Sequence, residues 1–374
     1  ETTRGCPFSC TFCADGLASK NKIRRYDSER TKDEIHYLAK RVKNISELGI
    51  ADLNFGMYKQ DIVTAKIIAD IQNKYNYPII LSSTVGKNMP ERTIQVAKIL
   101  KGWTMGASIQ STDHSVLKAV KRSNISKAAY QKLINFANSQ KSDRTQTEII
   151  LALPGDTKEK HLESLRFGID NNVKHVRMYQ AIMLPGTEMA SMVAREKYGL
   201  KTKFRIRPGC IGHYPILDKS HAVAEIEEII VGNNTMTHDD YVDSRIMDLI
   251  VQTFFNNFLF EEIFAMIKSI GISPLDCLIY LKNKEKLHTK KIKKIFGICV
   301  GNTVGSSRLS SKFGTKSTVS LSRSCSISDA TRSILASVYL IAAALSPSTE
   351  PKFPCPSING YLKDHSCAIL TRES

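Results

Sequence analysis

No stretch of this 374-residue chain reaches the roughly 18 uninterrupted apolar residues that a membrane-spanning helix needs. The longest candidate, Ile334–Leu345, is broken by Ser337 and Tyr339. A membrane span is therefore not expected. The composition also lacks the signature of disorder, with 42% hydrophobic and 24% charged residues. No signal peptide is visible, yet the first residue is Glu1 rather than Met. The sequence opens inside a motif, so an upstream stretch is expected.

Acidic residues are in short supply: 36 Asp and Glu stand against 53 Lys and Arg, a net charge of +17. Such a balance suits a nucleic-acid partner. The basic residues are dispersed, however. The one dense run, Lys282–Lys294, reads as a solvated helix face. Aromatic residues do not interleave with the basic ones in an RNA-reading pattern. A small-molecule substrate is the expectation, with modification of transfer RNA or another RNA as the alternative and a non-catalytic cluster-binding module as a third reading.

A paired cysteine framework is missing too. Nine cysteines, an odd number in a long chain, argue against a secreted disulfide scaffold and favour a reducing, cytoplasmic compartment. Cys210, Cys277, Cys299, Cys325, Cys355 and Cys367 are scattered and read as small hydrophobes. Cys6, Cys10 and Cys13 fall within eight residues.

What the sequence does contain, from Glu1 to about Gly186, is alternation. Helices are expected at Thr31–Leu48, with Gly49 as terminator, and at Asp61–Tyr75, Pro90–Leu100, Asp113–Arg122, Ala128–Gln140 and Lys158–Asn171. Strands are expected at Ala51–Phe55, Tyr77–Ser83, Thr104–Ser111, Thr147–Leu153 and Lys174–Ile182. With a strand ending at Gly5, six β–α units fill about 190 residues. A complete eight-fold barrel takes around 250, so a partial barrel or an open doubly wound sheet remains, and each places its site at the C-terminal ends of the strands. Residues 191–300 read as a mostly helical extension, with helices at His221–Val231, Asp239–Asn257, Leu259–Ser269 and Pro274–Lys286. Residues 301–374, with 17 serines and four acidic residues, read as a tail of low order or an out-of-frame stretch.

The cysteine loop carries the chemistry. Thiolates spaced as Cys6-x3-Cys10-x2-Cys13 can reach three corners of one compact cluster, and a 4Fe–4S cubane uses four. No fourth cysteine lies nearby, which leaves one iron open to a chelating small molecule. A zinc site completed by a distant histidine and a loop of packed thiols are the alternatives; zinc sites usually pair their cysteines as two close couples.

With an aromatic residue, Phe12, just before the last cysteine, this loop resembles the signature of the radical S-adenosylmethionine (radical SAM) superfamily. The resemblance covers about residues 1–190 and implies a partial (β/α)6 barrel. It also implies that the open iron binds the amino and carboxylate groups of SAM, and that an electron from the cluster releases a 5′-deoxyadenosyl radical. Residue by residue, it implies that Phe12 packs near the adenine and that Gly56, in Leu53-Asn-Phe-Gly-Met57, belongs to the turn that takes the SAM amino group. Gln110 matches a ribose-contacting position, Arg122 a partner of the SAM carboxylate, and Glu148 an acid bonding the ribose hydroxyls. An electron donor such as flavodoxin or ferredoxin is implied as partner. Leu184-Pro-Gly-Thr187 and the Leu-Pro-Gly after the fifth strand resemble the subgroup that often carries an N-terminal cobalamin-binding domain, many of whose members are methyltransferases. Two further segments are candidates to face a substrate: Lys203–Tyr214 and the loop Met57–Asp61.

Overall fold

The computed structural model describes residues 1–284 apart from 87, 140–144, 217–218, 257 and 259, together with 288 and 293. The expected tail 301–374 and most of the Lys282–Lys294 run lie outside the described residues. Two compact units divide the chain, Glu1–Phe260 and Glu261–Ser374.

In the first unit a short ribbon, β1 (Thr3–Arg4) against β2 (Arg24–Arg25), precedes helix α1 (Ser28–Arg41). There follow β3 (Glu47–Phe55), α2 (Lys59–Tyr75), β4 (Ile80–Val85), α3 (Pro90–Ile99), α4 (His114–Ala119), α5 (Lys127–Ser139), β5 (Gln146–Leu151), α6 (Lys158–Asp170) and β6 (His175–Gln180). Strands β3 and β4 pair in parallel, as do β5 and β6. Residues 103–110 join the two pairs through parallel bridges from Leu81 to Trp103, Gly106 to Gln146 and Gln110 to Ile149. The succession β3, β4, 103–110, β5, β6 with helices between is an α/β architecture. The N-terminal segment is tied to β3 by Asp52, a buried carboxylate that accepts from the Thr2 amide at 2.6 Å and the Thr2 hydroxyl at 2.5 Å.

Local signals explain most helices. Asp27 caps α1 by accepting from the amides of Glu29 and Arg30. Pro90 opens α3 in its first turn, and Thr157 caps α6 through the Lys160 amide. Apolar faces of α1, α2, α3 and α5 meet the outer face of the sheet in a core that includes Ile35, Phe55, Ile68, Leu81, Val96 and Leu133.

Two expectations are corrected. Helix α1 stops at Arg41, not Leu48; Asn44 takes φ +58° and the chain turns. Leu48 and Gly49 lie in β3, where Leu48 pairs with Leu81 and Gly49 with Ser82. The apolar residues at 45 and 48 fit a helical stripe as well as a strand entry, and the partner strand decides. The expected helix His221–Val231 is a strand. After α7 (Met192–Tyr198), β7 (Lys201–Ile216) and β8 (Lys219–Gly232) form a long antiparallel hairpin. Alanine and glutamate made the segment look helical. In the fold, Arg195 binds Glu228 at 2.6 Å, Arg205 binds Glu227 at 2.6 Å, and Arg207 lies 3.4 Å from Glu225. The end of β8 continues the sheet beyond β6 through an antiparallel bridge from Ile182 to Ile229.

The unit closes with α8 (His238–Ile250), capped reciprocally by Thr237 and Asp240, and a π-helical turn over Val251–Phe255. In the second unit the described residues form α9 (Glu261–Ser269) and α10 (Pro274–Asn283). Among the described residues no single helix is long and apolar enough to cross a membrane; α9 and α10 meet that test only as a pair, bent by 110°.

Candidate functional site

The cysteine loop follows β1 and is held on both sides. Gly5 has φ +96°, and a Cβ there would overlap the backbone carbonyl of Lys22, so the residue before Cys6 must be glycine. The Cys13 amide donates to the Cys10 carbonyl at 3.1 Å, and the Gly16 amide donates to the Cys13 carbonyl at 3.1 Å. Thr11 fastens the loop outward: its amide donates to Val120 at 3.1 Å, and its carbonyl accepts from Met189 at 2.9 Å. Cys6 and Cys10 are buried and Cys13 is partly exposed.

Two polar side chains stand against the buried thiols. Asn54, near the end of β3, donates from Nδ2 to Cys6 Sγ at 3.4 Å; its Oδ1 is buried without a partner among the described residues. Arg122, after α4, lies beside Cys10, Glu148 and Cys6. Only 7% of it is exposed. Its Nε donates to Asn124 Oδ1 at 3.0 Å and its Nη2 to the Ser108 carbonyl; the guanidinium lies within hydrogen-bonding reach of the Cys10 side chain, and among the described residues Nη1 has no oxygen or nitrogen partner. Burial pulls the Arg122 pKa down; the Cys10 and Glu148 side chains beside it act the other way.

Glu148 on β5 accepts from the Ser108 hydroxyl at 2.7 Å. Gln110 sits at φ +59°, an uncommon conformation for a non-glycine residue. Its backbone is fixed from both sides, its amide donating to the Glu148 carbonyl at 2.8 Å and its carbonyl accepting from the Ile150 amide at 2.9 Å. Its side-chain Oε1 is buried and has no partner among the described residues. Asn124 donates to the carbonyls of Ile109 at 2.7 Å and Ser111 at 2.9 Å, fixing the loop that carries Arg122.

Gly56 turns the chain from β3 into α2 with φ +88°. Its amide and that of Tyr58 both donate to Asp61 Oδ2, at 2.8 and 2.9 Å. Among the described residues its carbonyl has only a 3.5 Å contact from the Thr93 hydroxyl. Burial pushes the Asp61 pKa up to about 6 in spite of those amides. It likewise pushes the Tyr58 hydroxyl, which lies beside Cys6, up to about 12.

The fold thus brings Cys6, Cys10, Arg122 and Glu148 into one neighbourhood, with Gln110 joined through the backbone of Glu148. Gly56 lies two residues past Asn54, on the same turn. Phe12 is partly buried, and Cys13 faces Asp15, with its Sγ 4.0 Å from Oδ2. Among the described residues no three metal-ligating side chains converge on a single point. The donor set still fits an anionic cluster and a charged ligand. Three thiols share one loop, two of them buried, and among the described residues Arg122 and Asn54, each with a polar atom that has no oxygen or nitrogen partner, stand beside the buried pair. Sequence reasoning missed Asn54, Ser108 and Asn124. Asn54 and Ser108 stood within the expected strands Ala51–Phe55 and Thr104–Ser111, where a polar residue was the available signal.

Residues 1–168 match the model of the Radical SAM superfamily. This part of the chain is a radical SAM domain. The family implies a 4Fe–4S cluster and SAM as cofactors. The chain is 32% identical over 259 residues to the cobalamin-dependent radical SAM methyltransferase TokK of Streptomyces tokunonensis, covering 65% of this chain and 35% of that one. It is 31% identical over 258 residues to 2-(S-pantetheinyl)-carbapenam-3-carboxylate methyltransferase of Streptantibioticus cattleyicolor, with the same coverage of 65% and 35%. The chain thus spans about a third of the length of these curated relatives. The solved structure of the radical SAM methyltransferase TsrM from Kitasatospora setae is similar with a TM-score of 0.45 and 15% identity, over 56% of this chain and 41% of that one.

Proposed function

We propose that this chain is the catalytic part of a radical SAM enzyme, that residues 1–190 form its partial (β/α)6 barrel, and that residues 191–300 extend it. It acts on a small-molecule substrate, with methyl transfer as the reaction class that the two curated relatives suggest. The carrying observation is Arg122, a buried guanidinium beside Cys6, Cys10 and Glu148 whose Nη1 has no oxygen or nitrogen partner among the described residues.

On this reading Cys6, Cys10 and Cys13 hold the cluster, which when bound supplies the electron that cleaves SAM. The chain's own residues bind and orient. Arg122 Nη1 offers a charge-assisted hydrogen bond to the SAM carboxylate. Glu148 accepts from the ribose hydroxyls, and the unpartnered Oε1 of Gln110 accepts beside it. The Gly56 carbonyl, almost unused within the fold, receives the amino group, and Phe12 packs near the adenine. Burial of Cys6 and Cys10 keeps water from the reducing centre. Cobalamin, named for TokK, would serve as methyl carrier; no residue of this chain is assigned to it. The single-electron donor is a flavodoxin- or ferredoxin-like protein.

Anaerobic reconstitution with iron and sulfide tests the reading. The expected result is about four irons per chain and, with a low-potential reductant, release of 5′-deoxyadenosine from SAM. Cys10→Ala leaves two thiolates and should retain little iron. Wild-type iron content in that variant would count against the assignment.

A further inference from the structure

We propose that Arg177, with Tyr179 beside it on β6, is the anchor for a carboxylate group of the substrate. The proposal rests on the radical SAM reading of the preceding section and adds to it a class of substrate.

The alternation of β6 sets the geometry. Val176, Met178 and Gln180 point to the helical layer. A Cβ on Gly168 of α6 would lie 3.2 Å from the side chains of both Val176 and Thr147. Met178 Sδ lies 2.9 Å from His161 Nε2, and Gln180 meets the hydroxyl of Tyr241 in α8. Arg177 and Tyr179 therefore occupy the opposite face of the sheet. His175, at the entry of the strand, is taken up edge-on by Phe258.

That opposite face is also the face of Glu148. Thr147 and Ile149, its neighbours on β5, are fully buried, and Thr147 touches the α6 side. The register puts Arg177 directly across from Glu148, and Tyr179 across from Ile150. A cation opposite a carboxylate on adjacent strands would ordinarily form an ion pair. Here it does not. Glu148 is turned to Ser108 and lies beside Arg122. Arg177 is exposed, and among the described residues it has no hydrogen-bond or ion-pair partner; Tyr179 is 45% exposed. The face that holds the proposed SAM contacts thus presents, one strand away, an unspent guanidinium and a phenol.

A guanidinium fork fits a carboxylate by two parallel hydrogen bonds. One cation matches one negative charge. Glu148, one strand away, disfavours a doubly charged phosphate. The anchor would hold the acid group of the substrate to one side of the SAM site, leaving its carbon skeleton to reach toward the reacting centre.

The test uses the reconstituted, SAM-loaded full chain and two probes matched in shape but not in charge, benzoate and benzamide. Benzoate should bind at least roughly tenfold more tightly. Arg177→Gln should abolish that preference, and Arg177→Lys should keep part of it. Phenylglyoxal labelling located by mass spectrometry should show Arg177 protected by benzoate and not by benzamide. Equal binding of the two probes, or a preference that survives in Arg177→Gln, overturns the proposal. So does phenyl phosphate binding more tightly than benzoate, which would change the ligand class. A loss of SAM affinity in Arg177→Gln would assign Arg177 to SAM and equally overturn it. Failure to release 5′-deoxyadenosine while benzoate is still preferred would count against the radical reading and still support the anion anchor.

Discussion

At the scale of single residues, Arg122 is the one that the fold makes costly. A guanidinium taken out of water is tolerated only where its donors are matched, and among the described residues one of them, Nη1, has no oxygen or nitrogen partner. Filling that position with a ligand carboxylate recovers the cost, which is the physical content of its proposed role. Arg122→Ala should weaken SAM binding about tenfold or more, the loss of one charge-assisted hydrogen bond. Equilibrium binding to the reconstituted protein measures it. Arg122→Lys keeps the charge but not the fork and should fall between. Normal SAM affinity in Arg122→Ala would remove the residue from the site. Gln110 shows a related constraint. Its positive φ is held by backbone bonds to Glu148 and Ile150, so its position is set by the sheet rather than by its own preference. The residue type was legible in the sequence. Its conformation and its unpartnered oxygen were not, because both arise from contacts across about forty residues.

At the scale of elements, the loop from β1 through Cys13 depends on close backbone approach. Gly5 and Gly155 make a controlled comparison, since both have positive φ, +96° and +78°. A Cβ at Gly155 would meet nothing within 4 Å, whereas one at Gly5 would overlap the Lys22 carbonyl. Gly155→Ala should therefore cost only the conformational term, about 1–2 kcal/mol. Gly5→Ala should cost more and also lower iron retention, because the displaced residue is next to Cys6. Urea unfolding and an iron assay on both variants check this; equal stability losses with full iron uptake in Gly5→Ala would contradict it. Elements with a local cap or breaker, such as α3 with Pro90 and α6 with Thr157, could be read from the chain directly. The segment at β8 could not, since its glutamates favour a helix until Arg195 and Arg205 bind them.

At the scale of the whole molecule, pH acts through a buried pair beneath the sheet. Burial pushes the Asp156 pKa up to about 7, although the amides of Ala152 and Thr157 favour its charged form. Burial pulls the neighbouring His161 down to about 3, with Arg245 adding to the effect. The two signs oppose. Asp156 binds its proton more tightly folded than unfolded, so its contribution is present at low pH and lost as pH rises from about 4 to 7. His161 binds its proton less tightly when folded, so its contribution is lost as pH falls below its ordinary value of 6.5. His161→Gln removes only the second effect. The stability deficit of this variant against wild type should therefore shrink between pH 7 and pH 5, by up to about 1.4 kcal/mol per pH unit. Urea titrations at the two pH values measure it, and a constant deficit would show that His161 does not stay neutral in the fold.

The sequence by itself determined the spacing of the cysteine loop and most of the alternation of strands and helices through residue 180, and its resemblance to a family motif pointed to Arg122, Glu148 and Gln110 as candidate site residues. Each of these rests on local spacing, on a cap or breaker a few residues away, or on a short motif. Only the tertiary structure decided that α1 ends at Arg41, that residues 201–232 form a hairpin, and that Asn54 and Asn124 support the site. It alone decided that Arg177 has no ion-pair partner among the described residues although its register faces Glu148. The reason is that a strand owes its form to the partner it pairs with, and a buried charge owes its state to what surrounds it. Both depend on residues far apart in the chain, where short-range pattern carries no information.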